Sequence, residues 1–196
     1  GGLLLDAARP FVAVVGGAER GAGAVDYAEA LPETDGLATR TSGLTLSVYY
    51  ADCAPLLLVD PEARTVAAVH AGWRGAVAGI AARAVEVMRE TFSADPARIL
   101  AAIGPAIGPC CYTVGSEVAS RVPAGARPLV LAAGQEDSHR LDLAGLSAWW
   151  LRQAGLAAEH IFTAGECTGC RPDLYPSHRR QGTRAGRMMA VIARVD

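Results

Sequence analysis

The chain has 196 residues, 51% hydrophobic and 19% charged, and Arg supplies all 18 basic side chains against 20 acidic ones. The formal net charge of −2 excludes a nucleic-acid binder driven by bulk charge and an acidic disordered chain. No run reaches the ~18 apolar residues of a membrane span, and residues 1–5 lack the basic start of a secretory signal. The expectation is a cytoplasmic protein, monomeric, without a nucleic-acid or membrane partner. Five cysteines in an odd, dispersed set fit a reducing compartment, which makes their thiols candidates for metal or redox chemistry.

In chain order, the apolar run 11–15 reads as a short strand, and the Gly-rich stretch 16–23 after it as a surface loop. That loop has no Gly-Lys-Ser or Gly-Lys-Thr ending, so a phosphate-binding P-loop is not supported. Runs 44–50, 55–59 and 65–70 have strand length, and Asp60-Pro61-Glu62-Ala63-Arg64 between the last two carries turn chemistry, which predicts a hairpin. Val77, Ile80, Ala81, Ala84, Val85 and Met88 recur three and four apart, predicting one amphipathic helix over 75–92 that stops before Pro96. A strand over 99–103 leads into the loop Gly104-Pro105-Ala106-Ile107-Gly108-Pro109. A helix near 142–155 and strands over 161–163 and 188–195 complete a mixed α/β pattern.

A turn centred between Glu62 and Ala63 places His70 across from Pro55, two positions from Cys53. Diagonal neighbours on paired strands are ~7–8 Å apart, so Cys53 and His70 converge at the open end of the hairpin. A thiolate and an imidazole there suit zinc or copper coordination, or a Cys nucleophile deprotonated by His. A buried Cys beside a hydrogen-bonded His is the plain alternative. The run His70-Ala71-Gly72-Trp73-Arg74-Gly75 adds a cation and a tight turn at a helix start, where backbone N–H groups attract anions.

Tyr50-Ala51-Asp52-Cys53-Ala54-Pro55, His70 to Gly75, Gly104 to Tyr112 and Ser177-His178-Arg179-Arg180 with Gly186-Arg187-Met188 closely resemble, in order, the motifs of the laccase-type multicopper polyphenol oxidase family, also known as the YfiH-like purine nucleoside phosphorylase family. The resemblance implies a single domain over 1–196 with a four-layer α/β/β/α fold and mixed sheets. The N-terminal part of the family pattern is missing. It implies a metal-dependent enzyme that phosphorolyses adenosine, inosine and methylthioadenosine and deaminates adenosine. The rival readings are a copper polyphenol oxidase, a metal-free Cys–His hydrolase and a catalytically silent member.

By the same resemblance Cys53 and His70 are metal ligands for zinc or copper, and Asp52, Cys53, His70 and Arg74 are the catalytic set. Trp73 and Tyr112 are candidates to stack on the purine, with core packing the equal alternative. Arg179, Arg180 and Arg187, crowded together with Arg184, are candidates to hold phosphate, with a solvated surface the plain alternative. The family's third ligand comes from an upstream Gln-Val-His-Gly motif. Here that region reads Asp6-Ala7-Ala8-Arg9-Pro10-Phe11-Val12, without a His. An incomplete metal site is therefore expected, with His178 the best substitute ligand, His139 exposed ahead of a helix and His160 structural. Cys110 and Cys111 are expected to pack, and Cys167-Thr168-Gly169-Cys170 is read as structural thiols, because a second Cys-x-x-Cys for a four-ligand zinc site is absent.

Overall fold

The computed structural model describes residues 11–23, 30–135 and 137–195; positions 6–10, where the upstream ligand would fall, lie outside them. Strands β1 (Val12–Val14), β2 (Gly36–Thr39), β4 (Ala54–Asp60), β5 (Thr65–Ala71), β6 (Leu100–Ile103) and β10 (Ile161–Thr163) form a six-stranded sheet in the order β1-β2-β5-β4-β6-β10. The outer pairs β1–β2 and β6–β10 are parallel and the inner pairs antiparallel, so the sheet is mixed. A second sheet pairs β3 (Thr45–Tyr50) with β11 (Met188–Ala193), and a third joins β7 (Thr113–Gly115), β9 (Ser138–Leu141) and β8 (Leu131–Ala133).

Central strands β4 and β5 are buried along nearly their whole length, as a strand covered on both faces must be. One face is covered by helices α2 (Ile80–Phe92) and α5 (Leu143–Gln153), the other by β3 and β11. Helix α2 buries Ile80, Val85, Met88 and Phe92. Each contributes ~1.5–3 kcal/mol relative to exposure. On the opposite face Leu44, Leu46 and Val48 close against Val66 and Ala68. This is the mixed α/β fold with mixed sheets that the sequence implies. The described residues build three of the layers, α/β/β, and the outer face of the last one leaves Tyr49, Met189 and Val191 exposed.

The hairpin forms in the expected register: Pro55 pairs with His70 and Ala54 with Ala71. Asp60 fixes its turn. One carboxylate oxygen accepts the N–H groups of Glu62 (2.9 Å) and Ala63 (3.1 Å), and the other accepts that of Asp95 (2.9 Å). Burial works against ionisation of Asp60, but these N–H groups and Arg98 outweigh it and hold the carboxyl below its usual range.

The expected single helix over 75–92 is two helices, α1 (Trp73–Val77) and α2. Gly79 breaks it with φ of 84°, a left-handed conformation that glycine takes without strain. A Cβ there would approach the Trp150 ring to 3.3 Å, and the Trp150 indole donates to the Ala76 carbonyl at 2.8 Å. The apolar periodicity runs straight through this break, which is why it does not reveal it. His139 also differs from expectation: it sits half-buried within β9.

Candidate functional site

Pairing directions bring one set of strand ends together. The start of β2, the turn before β4, the end of β5 and the loops after β6 and β10 all meet at the same edge of the six-stranded sheet. There a cavity of about 490 Å³ is lined by Asp35, Asp52, Cys53, His70, Trp73, Arg74, Tyr112, His178 and Arg179 among others.

A Cβ placed on Gly72 would lie 3.3 Å from the Cys53 sulfur and 3.8 Å from His70 Nε2. The sulfur and that nitrogen are therefore at most about 7 Å apart, within the reach of a diagonal pair. Any larger residue at 72 would press into the gap between them. His70 Nδ1 faces the Asp35 carboxylate at 3.5 Å, while the His70 N–H donates to the Asp35 carbonyl at 2.8 Å. This carboxylate–imidazole arrangement leaves Nε2 toward Cys53, the orientation that second-sphere carboxylates impose on metal-binding histidines. The Asp35 hydrogen bond first, then Cys53, raises the imidazole pKa to about 9 against the opposing effect of burial. Asp35 escapes the sequence reading because only the β2–β5 pairing carries it to His70.

Asp52 adopts φ of 78° and is 7% exposed. One carboxylate oxygen accepts the Thr168 hydroxyl at 2.6 Å; the other accepts the Ser177 hydroxyl at 3.1 Å and the Arg179 N–H at 2.6 Å. Its own carbonyl accepts the Ile107 N–H at 2.8 Å. With both oxygens engaged internally, Asp52 ties three loops to the turn that presents Cys53, which is a positioning arrangement.

The aromatic residues are already partnered. The Arg74 guanidinium lies 4.5 Å from the Trp73 ring centroid, and that of Arg179 lies 4.8 Å from the Tyr112 centroid. Such stacking holds each cation at the cavity wall. The expected Arg cluster divides. Arg179 lines the cavity and donates to the Thr113 carbonyl at 3.0 Å, whereas Arg180 and Arg187 are not among the lining residues. Consecutive residues of the short helix α6 (His178–Gln181) point about 100° apart. Arg187 lies past the next turn and donates to the Ala185 and Gly186 carbonyls.

Cys53 and His70 offer a soft sulfur and an imidazole nitrogen that fit a zinc or copper ion. His178 is exposed and lines the same cavity. Among the described residues, however, it does not join them in a set of three donors close enough to share an ion. Such a set does exist nearby, where the sequence suggests none. The sulfurs of Cys110, Cys111, Cys167 and Cys170 all lie within 4.8 Å of one another. The expectation of a packed thiol fails for Cys110, which is exposed, and Cys170 beside it is exposed as well. Parallel pairing of β6 with β10, extended by a bridge between Ala106 and Cys167, brings the two loops side by side. Desolvation opposes ionisation of Cys167, but the Gly108 N–H and the neighbouring thiols bring its pKa down to about 7. Desolvation and the Cys170 contact push Cys110 up to about 12.

No helix among the described residues is long and apolar enough to cross a membrane. The chain is 41% identical over 179 residues to purine nucleoside phosphorylase YlmD of Geobacillus stearothermophilus, covering 90% of this chain and 65% of that protein. It is 37% identical over 169 residues to a protein named adenosine deaminase from an unknown prokaryotic organism, covering 84% of this chain and 64% of that one. It thus spans just under two thirds of the length of these relatives. The crystal structure of the Bacillus licheniformis hypothetical protein YfiH superposes with a TM-score of 0.92 at 36% identity, over 96% of this chain and 72% of the other. Residues 11–195 match the family model described as multi-copper polyphenol oxidoreductase laccase. The chain belongs to that family.

Proposed function

We propose that the cavity around Cys53 and His70 binds a purine nucleoside together with phosphate and cleaves the bond between base and ribose. The observation that carries this reading is the convergence of Cys53, His70, Arg74 and Arg179 on one cavity of about 490 Å³, a size suited to a small-molecule ligand. The relative named purine nucleoside phosphorylase supports the substrate class.

Phosphate forms a new bond to the ribose anomeric carbon as the bond to the purine nitrogen breaks, and the base leaves with the electron pair. Negative charge on phosphate and positive charge developing on the ribose both need fixed partners. Arg179 and Arg74, each held over an aromatic ring, supply cations for the phosphate. His70, oriented by Asp35, holds a proton at neutral pH in the ion-free site. A zinc or copper ion held by Cys53 Sγ and His70 Nε2 would supply Lewis acidity. Ion and proton compete for the same nitrogen. Asp52 keeps the Cys53 turn and the Arg179 helix in register through its three accepted hydrogen bonds.

Deamination of adenosine is the second reading, favoured by the relative of that name. One assay separates the two. Adenosine is incubated with the protein, with and without phosphate, and the products are resolved chromatographically. Adenine with ribose 1-phosphate, formed only when phosphate is present, supports phosphorolysis. Inosine and ammonia formed without phosphate support deamination. Failure to form either set of products from adenosine, together with no phosphorolysis of inosine, would overturn the reading.

A further inference from the structure

We propose that Cys110, Cys111, Cys167 and Cys170 form a structural tetrathiolate site for one zinc ion, separate from the Cys53–His70 cavity. Four sulfurs within 4.8 Å of one another is the arrangement to be explained. In a tetrahedral zinc–thiolate centre, bonds of ~2.3 Å place the sulfurs ~3.8 Å apart. Cys170 lies 3.4 Å from Cys110 and 3.5 Å from Cys111, so the four need only small adjustments to surround an ion. Two disulfides would sort the four sulfurs into separate pairs, whereas Cys170 is shared almost equally by Cys110 and Cys111 and all four converge on one point. Zinc uses all four.

The backbone around the cluster is shaped for this closeness. A Cβ on Gly169 would come within 2.8 Å of the Cys111 Cβ and 3.0 Å of its sulfur. A Cβ on Gly108 would meet the sulfurs of Cys110 at 3.4 Å and Cys167 at 3.5 Å. The Gly108 N–H points at the Cys167 sulfur at 3.2 Å, a donor that favours a thiolate. The Cys170 N–H donates to the Cys167 carbonyl at 3.1 Å, closing the Cys-x-x-Cys turn so that both sulfurs face the same side. Each loop follows a strand, β6 or β10, and the parallel bridge between Ala106 and Cys167 sets their register.

The site also has a mechanical consequence. Thr168, between two of the thiols, donates to Asp52, and Tyr112, next to Cys111, lines the cavity under Arg179. An ion at the cluster fixes both loops from behind, as closed four-ligand zinc sites do. As it binds, each protonated thiol releases its proton to solvent, and no electron transfer is involved.

The test uses the full chain, reduced and freed of metal, titrated first with Co²⁺ and then with Zn²⁺. One Co²⁺ should bind with sulfur-to-cobalt charge-transfer bands and tetrahedral ligand-field bands, and one equivalent of Zn²⁺ should abolish them. Cys53→Ala and His70→Ala should keep these spectra; Cys111→Ser and Cys170→Ser should lose them. Should the cluster variants fail to fold, alkylation of the unsubstituted protein decides. Zn²⁺ should protect Cys110, Cys111, Cys167 and Cys170 from the reagent, as mapped by peptide mass. Bands that vanish with Cys53→Ala but survive Cys170→Ser, or four cysteines alkylated equally with and without Zn²⁺, would overturn the proposal.

Discussion

Two groups of metal-type donors sit at the same edge of one sheet, and they are built differently. The Cys53–His70 pair faces a cavity of about 490 Å³ and has arginines at its wall. The four cysteines face one another, and glycines press against them. An open shell leaves room for a substrate, whereas a closed shell has no free position and can only hold structure. On the two proposals above, ligand count and surroundings assign chemistry to the first group and bracing to the second. Asp52 connects them, since its carboxylate takes Thr168 from the cysteine side and the Arg179 N–H from the cavity side.

Cutting that connection should have the largest effect on the fold. Asp52→Ala leaves the Thr168 and Ser177 hydroxyls and the Arg179 N–H without their acceptor. With ~1–3 kcal/mol for each buried unsatisfied group, the loss should be about 3 kcal/mol or more in urea unfolding. A change under about 1 kcal/mol would mean that the two regions are not joined through Asp52. Next comes Gly169→Ala, which forces a methyl against Cys111. Overpacking of this kind costs ~1–3 kcal/mol, and Zn²⁺ affinity should fall while inosine binding changes less.

The pair has its own signature in pH. His70 titrates at about 9 in the folded, ion-free protein against 6.5 for the free side chain. The folded state binds the proton more tightly, so its stabilisation is fully present below about pH 6.5 and is lost as pH rises through 9. Asp35 is 49% exposed, so solvent screening reduces the gain to about 1–2 kcal/mol. Thermal melts of the ion-free protein should decline between pH 6.5 and 9, and Asp35→Asn should flatten that decline. An unchanged slope in the variant would remove Asp35 from the account.

The smallest contrast is between neighbours. Arg179→Ala should weaken the use of phosphate by about 10-fold or more, as loss of a charge-assisted contact does. Arg180→Ala, outside the cavity lining, should stay within about twofold on the same scale. Equal losses would mean that the helix presents both side chains to the anion.

What could be read in advance follows from how far apart in sequence the partners lie. The Pro55–His70 pairing was legible because a four-residue turn governed by Asp60 fixes the register of both strands. The cysteine cluster was not, because its halves belong to loops after β6 and β10. Only their parallel pairing, with a long crossover between them, places the halves side by side. Asp35 reaches His70 the same way, through β2 beside β5. The break at Gly79 needs Trp150, from a helix far along the chain, to explain it. Periodicity and turn chemistry report on neighbours in sequence, and these features are set by tertiary pairing.

The most direct measurement is the phosphorolysis rate of His70→Ala, read as kcat/KM for inosine at saturating phosphate, beside its zinc content. A fall of at least about 10²-fold in kcat/KM is expected, the scale of a lost group at the reacting centre, with one zinc per chain still bound at the four cysteines. Activity near that of the unsubstituted protein would contradict the assignment of chemistry to the Cys53–His70 cavity.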